Sequence, residues 1–106
     1  MRIKFEYVRW QTVHTSDEYP DIFFYEVDLE SERYATRMAK VFSDRSVVPV
    51  VEEGFEFITE EPIPEIDEIN ADSEYYAEII SKDAFETVYA SKRYDGNMSF
   101  PKKIMI

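Results

Sequence analysis

The chain has 106 residues, and its formal net charge at pH 7 is −11. That length fits one domain. The aromatic content of 16% supplies a folded core and excludes a disordered chain of low hydrophobicity. The chain contains no cysteine, which excludes disulfide and thiol chemistry and fits a reducing cytoplasm. We also expect no membrane association, since neither an apolar run of membrane-spanning length nor a signal-peptide pattern is present.

The negative charge is concentrated in one third of the chain. Residues 46–81 carry eleven acidic residues and no Lys, Arg or His, whereas the rest carries twelve acidic and twelve basic residues. A surface of this charge repels nucleic acid and anionic membranes and attracts basic partners. The alternative is an acidic surface that serves only solubility.

Alternating polar and apolar residues predict the first three strands. In the second of them, the pattern places Glu26 and Asp28 on the face that meets water. In the third, the alternation changes parity at Arg37 and Met38, which indicates a β-bulge with one extra residue there. The predicted strands cover residues 2–10, 21–29 and 33–42.

A tight turn and two further strands are predicted next. The turn covers 43–46, where Asp44 is suited to accept hydrogen bonds from nearby backbone N–H groups. The strand over 47–51 contains Pro49, which lacks a backbone donor and therefore favours a sheet edge. A short strand is expected at 55–59.

Two helices are predicted in the second half of the chain. Pro64 suits the first turn of a short helix over 64–70. Ser81 is the expected N-cap of a longer helix that runs towards Lys92 and Arg93. Residues 75–80, between the two helices, have a pattern that can add a short strand.

These elements predict an α+β fold. We expect an antiparallel sheet of about four to five strands, with one short and one longer helix packed on one face. Residues 1–95 would form the domain, and 96–106 a C-terminal tail. Three alternatives remain open for this tail: it frays, it adds an edge strand, or it docks on a partner.

The stretch from Glu60 to Tyr89, which contains both predicted helices, also carries a family resemblance. The motifs Glu60-Glu61-Pro62-Ile63-Pro64, Glu68-Ile69-Asn70-Ala71-Asp72 and Ile80-Ser81 followed by Phe85-Glu86 resemble an uncharacterised family of small acidic bacterial domains. The resemblance covers roughly residues 1–90, with Arg45 standing where a turn Gly is expected. It implies an α+β fold and no established activity. It also suggests small cytoplasmic immunity proteins, the antidotes of bacterial toxin systems.

The residues do not favour an enzyme. His14, the single histidine, lies in a polar loop, and such residues are usually solvated. The sequence shows no nucleophile–base pair, no Gly-rich phosphate loop and no metal-ligand spacing. Paired acids such as Glu52-Glu53 are better explained as solvated than as a cation site. We therefore expect no catalytic residue, no metal and no cofactor.

Two functions from different classes remain. The first is an antidote that binds a basic toxin, such as a nuclease, through acidic residues that steer the encounter and tyrosines that anchor it. The second is a structural or regulatory module that forms a homodimer through an edge strand or the tail. A weaker third is an anti-defence protein that mimics nucleic-acid charge; direct binding to nucleic acid is not expected, because a basic groove is missing. The predicted partner-binding residues are Glu56, Glu60, Glu61, Asp67, Glu68, Asp72, Tyr75 and Tyr76.

Overall fold

The structure of the chain, a computed structural model, describes residues 4–51 and 61–102. Within these ranges it contains a five-stranded antiparallel sheet with one short and one longer helix, which confirms the predicted α+β class. The elements in chain order are β1 (Phe5–Thr12), β2 (Ile22–Asp28), β3 (Tyr34–Val41), β4 (Val47–Val51), α1 (Ile66–Asn70), β5 (Tyr75–Ile80) and α2 (Lys82–Tyr89).

The described strands are ordered β4-β3-β2-β1-β5 in the sheet. The first four strands are therefore neighbours in both sequence and space, and β5 returns beside β1 after α1. Strand β4 lies at an edge of this sheet, as the position of Pro49 predicts. The strand expected at 55–59 lies outside the described residues.

The two helices pack on opposite faces of the sheet, so the prediction that both lie on one face was wrong. Ile69 of α1 packs with Val8 and Tyr25, whereas Phe85 of α2 packs with Phe24 on the other side. Consecutive residues of a strand point to opposite faces. Because Phe24 and Tyr25 are both buried, the sheet is apolar on both faces and each face needs its own cover.

A β-bulge separates the two halves of the pairing between β2 and β3. Glu26 lies opposite Arg37 and Val27 lies opposite Ala35, which leaves Thr36 as the extra residue. The predicted bulge therefore exists, one position earlier in the chain than the parity change indicates.

Glu26 and Asp28 are both only 7% exposed, so the expectation that they face water was wrong. Glu26 is buried because it has donors on every side: it accepts hydrogen bonds from Tyr7 (3.0 Å), Thr36 (2.7 Å) and Arg37 (2.6 Å). Asp28 accepts a backbone N–H in the turn that follows β2. Buried carboxylates persist where such partners satisfy them.

The turn between β3 and β4 has the predicted chemistry. Asp44 Oδ1 accepts hydrogen bonds from the backbone N (2.9 Å) and Oγ (2.6 Å) of Ser46. Arg45 adopts a φ of 72°, the left-handed region that favours Gly. Its guanidinium donates to the carbonyl oxygens of Tyr94 and Gly96, so this position also ties the turn to the chain after α2.

Helix α2 begins as predicted, with Ser81 Oγ accepting the backbone N–H of Ala84 at 3.0 Å. It ends at Tyr89 with Ala90 as C-cap, earlier than the basic pair at Lys92 and Arg93 suggests. Beyond the helix, the Lys92 carbonyl accepts the backbone N–H of Val47, the first residue of β4, at 3.0 Å.

Candidate functional site

An extended segment leads into α1 and is held on the sheet. Pro62 and Pro64 cannot donate backbone hydrogen bonds and keep the preceding residues extended. Ile63 between them is buried, and its backbone N–H donates to the Arg33 carbonyl at 2.8 Å. The Arg33 side chain in turn donates to the carbonyls of Ile63 (2.9 Å) and Pro64 (3.1 Å). The entry to α1 is therefore fixed by burial of Ile63 and by hydrogen bonds with Arg33, in the turn before β3, rather than by the helix itself.

The exit from α1 is fixed in the same way. The Asn70 side chain both donates to the Ala77 carbonyl (2.9 Å) and accepts the Ala77 N–H (2.8 Å). Asp72 Oδ1 accepts the Glu74 N–H at 2.9 Å. Lys102 Nζ donates to the carbonyls of Asn70 (2.7 Å) and Asp72 (3.0 Å), which satisfies acceptors that a helix end leaves free. A helix of five residues thus has a defined position despite its length.

Between α1 and the sheet lies a cavity of about 220 Å³, called here the α1 cavity. Its aromatic wall is formed by Trp10 and Tyr75, whose rings meet edge to face with centroids 5.5 Å apart. Two exposed carboxylates, Glu68 and Asp72, lie on it. The lining residues are Trp10, Pro64, Glu68, Ile69, Asp72 and Tyr75.

The structure brings together three of the predicted partner-binding residues. Glu68, Asp72 and Tyr75 all line the α1 cavity. Asp67 is exposed on α1 and Glu61 is exposed in the segment before it, and neither lines the cavity. We call this surface, formed by the α1 cavity together with Glu61 and Asp67, the α1 face.

The other predicted residues lie elsewhere. Tyr76 lies on the opposite face of the sheet from Tyr75, since the two are consecutive in β5. There its hydroxyl donates to Glu78 at 3.2 Å. Glu56 and Glu60 lie outside the described residues. The two tyrosines therefore cannot anchor one partner at the same point of contact.

Sequence reasoning missed Trp10. It is absent from the predicted partner-binding residues, yet it continues the face of Val8 and lies opposite Ala77 of β5. The signal was present in the spacing, because residues two apart in a strand share a face.

The α1 cavity combines aromatic faces with negative charge, an arrangement that suits a cationic side chain.

Metal chemistry has no comparable support: in 4–51 and 61–102, no group of three or more His, Asp or Glu side chains could hold a metal ion. His14 is largely exposed and contacts Glu74 at 3.1 Å. None of the helices in the described parts of the chain is long and apolar enough to cross a membrane.

A family model matches residues 6–94, and its description is a domain of unknown function, DUF6881. No curated protein and no solved structure matches the chain. The match covers every strand and helix described above except the first residue of β1. The chain therefore belongs to the DUF6881 family, an uncharacterised family.

Proposed function

We propose that this domain binds a basic protein through the α1 face and acts as a cytoplasmic antidote to a toxin. The observation that carries the proposal is the α1 cavity, in which Trp10 and Tyr75 stand beside the carboxylates of Glu68 and Asp72. A lysine or arginine side chain of the partner matches this cavity: its aliphatic stem packs on the rings and its cation meets the carboxylates.

Typical interaction free energies indicate what each part of the α1 face would contribute to binding. One cation over an aromatic ring contributes about 0.5–2 kcal/mol, and exposed ion pairs contribute up to about 1 kcal/mol each. A single cavity is therefore too weak for a stable complex, which needs an interface of roughly 1,200 Å² or more. The cavity would serve as the anchor, and the surrounding acids would raise the association rate.

The antidote role rests on charge and on the resemblance to immunity proteins. A nuclease toxin attracts phosphate with a basic active site, and an acidic protein can occupy the same surface. Binding there would exclude nucleic acid by like charge as well as by occlusion.

The test is capture of bound chains from the native cell with the tagged full chain. A paired change, Glu68→Lys with Asp72→Lys, reverses the charge beside the α1 cavity. The matched control, Asp83→Lys with Asp95→Lys, makes the same change in net charge at exposed positions within and after α2. We expect a stoichiometric basic partner, encoded beside this gene, that is lost at high salt and with the cavity pair but retained by the control pair. Equal loss with both pairs would contradict a local site.

Growth distinguishes an antidote from other acidic binding proteins. Expression of the captured partner alone should arrest growth, and co-expression of the wild-type chain should restore it. The cavity pair should fail to restore growth at equal protein level. A partner that is harmless when expressed alone would refute the antidote role while leaving protein binding intact.

Self-association is the second candidate, because β4 is an edge strand of the described sheet and Val48 on it is 46% exposed. A dimer formed this way, or through the tail, should survive high salt, and deletion of 100–106 tests the tail. The anti-defence alternative predicts instead a partner that itself binds nucleic acid in a defence system.

A further inference from the structure

A second cavity lies on the other face of the sheet, between β1, β5, α2 and the segment after α2. Its volume is about 340 Å³, within the range of small-molecule sites. Apolar walls come from Phe24, Ile80, Val88 and Tyr94, and the polar groups include Arg9, Tyr76 and Glu78. None of these residues belongs to the α1 face, so the cavity is independent of the function proposed above.

Arg9 is the unusual group in this cavity. It is only 8% exposed, and in the described part of the chain no carboxylate lies within ion-pairing distance of it. It donates to Gln11 Oε1 (3.0 Å) and to the Asn97 carbonyl (2.9 Å). These bonds use two of the five N–H groups of its guanidinium, and Arg9 lines the cavity. A buried cation with only neutral partners is costly.

The guanidinium is also held in place before any ligand arrives. Gln11, which accepts one of its bonds, is 2% exposed and itself donates to the Met98 carbonyl at 2.8 Å. Both partners are therefore fixed between β1 and the chain after α2. Such preorganisation lowers the entropy lost on binding.

Glu78 limits the charge of the ligand. It is the direct neighbour of Arg9 across the β1–β5 pair, so its carboxylate lies on the same face, where it accepts from the Tyr76 hydroxyl. A phosphate with two negative charges would be repelled by Glu78, whereas one carboxylate can pair with Arg9 in the bidentate manner. The cavity also has apolar walls, which include Phe24 and Val88. The rest of a matching ligand is therefore compact and apolar.

We propose that this cavity binds an apolar monocarboxylate of the size of an amino acid, with its carboxylate on Arg9. The carboxylate can belong to a free amino acid or to the C-terminal residue of a peptide. In the first case the ligand ammonium forms an ion pair with Glu78; in the second case a neutral amide lies at that point and forms no ion pair with Glu78.

The test is titration of the full chain with L-phenylalanine, N-acetyl-L-phenylalanine and phenethylamine, followed by amide chemical shifts. We expect both carboxylates, at concentrations up to roughly 10 mM, to shift signals of Ile80, Val88 and Tyr94. Phenethylamine, which lacks the carboxylate, should not shift them. If the natural ligand is a free amino acid, Glu78→Gln should weaken the binding of L-phenylalanine only. If it is the C-terminal residue of a peptide, Glu78→Gln should weaken the binding of neither carboxylate.

Two variants separate binding from folding. Arg9→Met removes the cation and should weaken the binding of both carboxylates at least about tenfold. The amide chemical shifts of this variant without ligand show whether the fold is kept. Val88→Trp fills the cavity without touching Arg9 and should abolish binding, whereas Thr87→Trp, on the exposed side of α2, should not. Absence of shifts, equal shifts with phenethylamine, or binding that survives Val88→Trp would overturn the proposal.

Discussion

Replacement of Arg37 by Met should destabilise the domain strongly, because Arg37 joins α2 to the sheet through two carboxylates. It donates to Glu26 of β2 at 2.6 Å and also donates to Glu86 of α2. Its guanidinium also lies 5.0 Å from the ring centre of Phe85 and 4.9 Å from that of Tyr89. Met keeps the packing volume of the stem and removes the charge.

The expected loss of stability follows from the buried Glu26 carboxylate, which Arg37→Met leaves without its ion-pair partner. The Glu26 side chain is 9% exposed, and that of Arg37 is 26% exposed. Breaking a buried ion pair by removing one partner costs about 3–5 kcal/mol. The partial exposure of Arg37 places the expected loss near the lower end, at about 3 kcal/mol. For a domain of this size that corresponds to a decrease in Tm of roughly 12–24 °C.

The dependence of this loss on pH gives a second check. Burial raises the pKa of Glu26, but hydrogen bonds from Arg37, Thr36 and Tyr7 outweigh it and hold the pKa below the ordinary 4.5. A carboxyl whose pKa is depressed in the folded state stabilises above its unfolded pKa and loses this effect as pH falls through the folded value. The difference in free energy of unfolding between the wild type and Arg37→Met should therefore have its full size at pH 7. It should decrease as the pH falls below 4.5.

Urea unfolding at pH 7 measures the effect, with Arg93→Met as the matched control. Arg93 forms a 3.4 Å pair with Asp95, and their side chains are 66% and 87% exposed. Removal of such a pair should change the free energy of unfolding by less than about 1 kcal/mol. If Arg37→Met cost no more than Arg93→Met, the claim that this network fixes α2 on the sheet would be refuted.

Two further changes test other parts of the fold. Asp21 is 6% exposed, and its Oδ1 has no hydrogen-bond partner among the residues that the structure describes. Burial raises the pKa of Asp21 above the ordinary 3.8. Asp21→Asn should therefore increase the free energy of unfolding at pH 7, and the gain should vanish below pH 3.8, where both forms are neutral; a gain that is independent of pH would contradict this origin. Asn70→Leu leaves the N–H and carbonyl of buried Ala77 without their partners, which should cost about 2–4 kcal/mol in urea unfolding. A loss below about 0.5 kcal/mol would show that these groups find other partners.

The strands and helix starts could be predicted from local patterns. Alternation located β1 to β3, the proline located an edge strand, and Ser81 located the start of α2. These signals are local because the side-chain period of a strand and the cap of a helix depend on neighbouring residues.

The features that local patterns missed depend on distant partners. Glu26 was expected to face water, and it is buried because Tyr7 of β1 and Thr36 and Arg37 of β3 donate hydrogen bonds to it. Tyr75 and Tyr76 were grouped as one anchor, although strand geometry separates consecutive residues. The placement of these two tyrosines on opposite faces could be predicted from the sequence, and so could the face on which Trp10 lies. The pairing of Trp10 with Tyr75 was not, since it requires knowing that β5 returns beside β1.

The most direct test of the central claim is a hydrogen-exchange footprint of the complex between this chain and its captured basic partner. The account predicts slower exchange in the complex for backbone amides from 63 to 75 and around Trp10, which border the α1 cavity. Exchange in β4 should be unchanged. Protection of β4 or of 94–102, with the amides of α1 unaffected, would contradict the account and place the interface elsewhere on the domain.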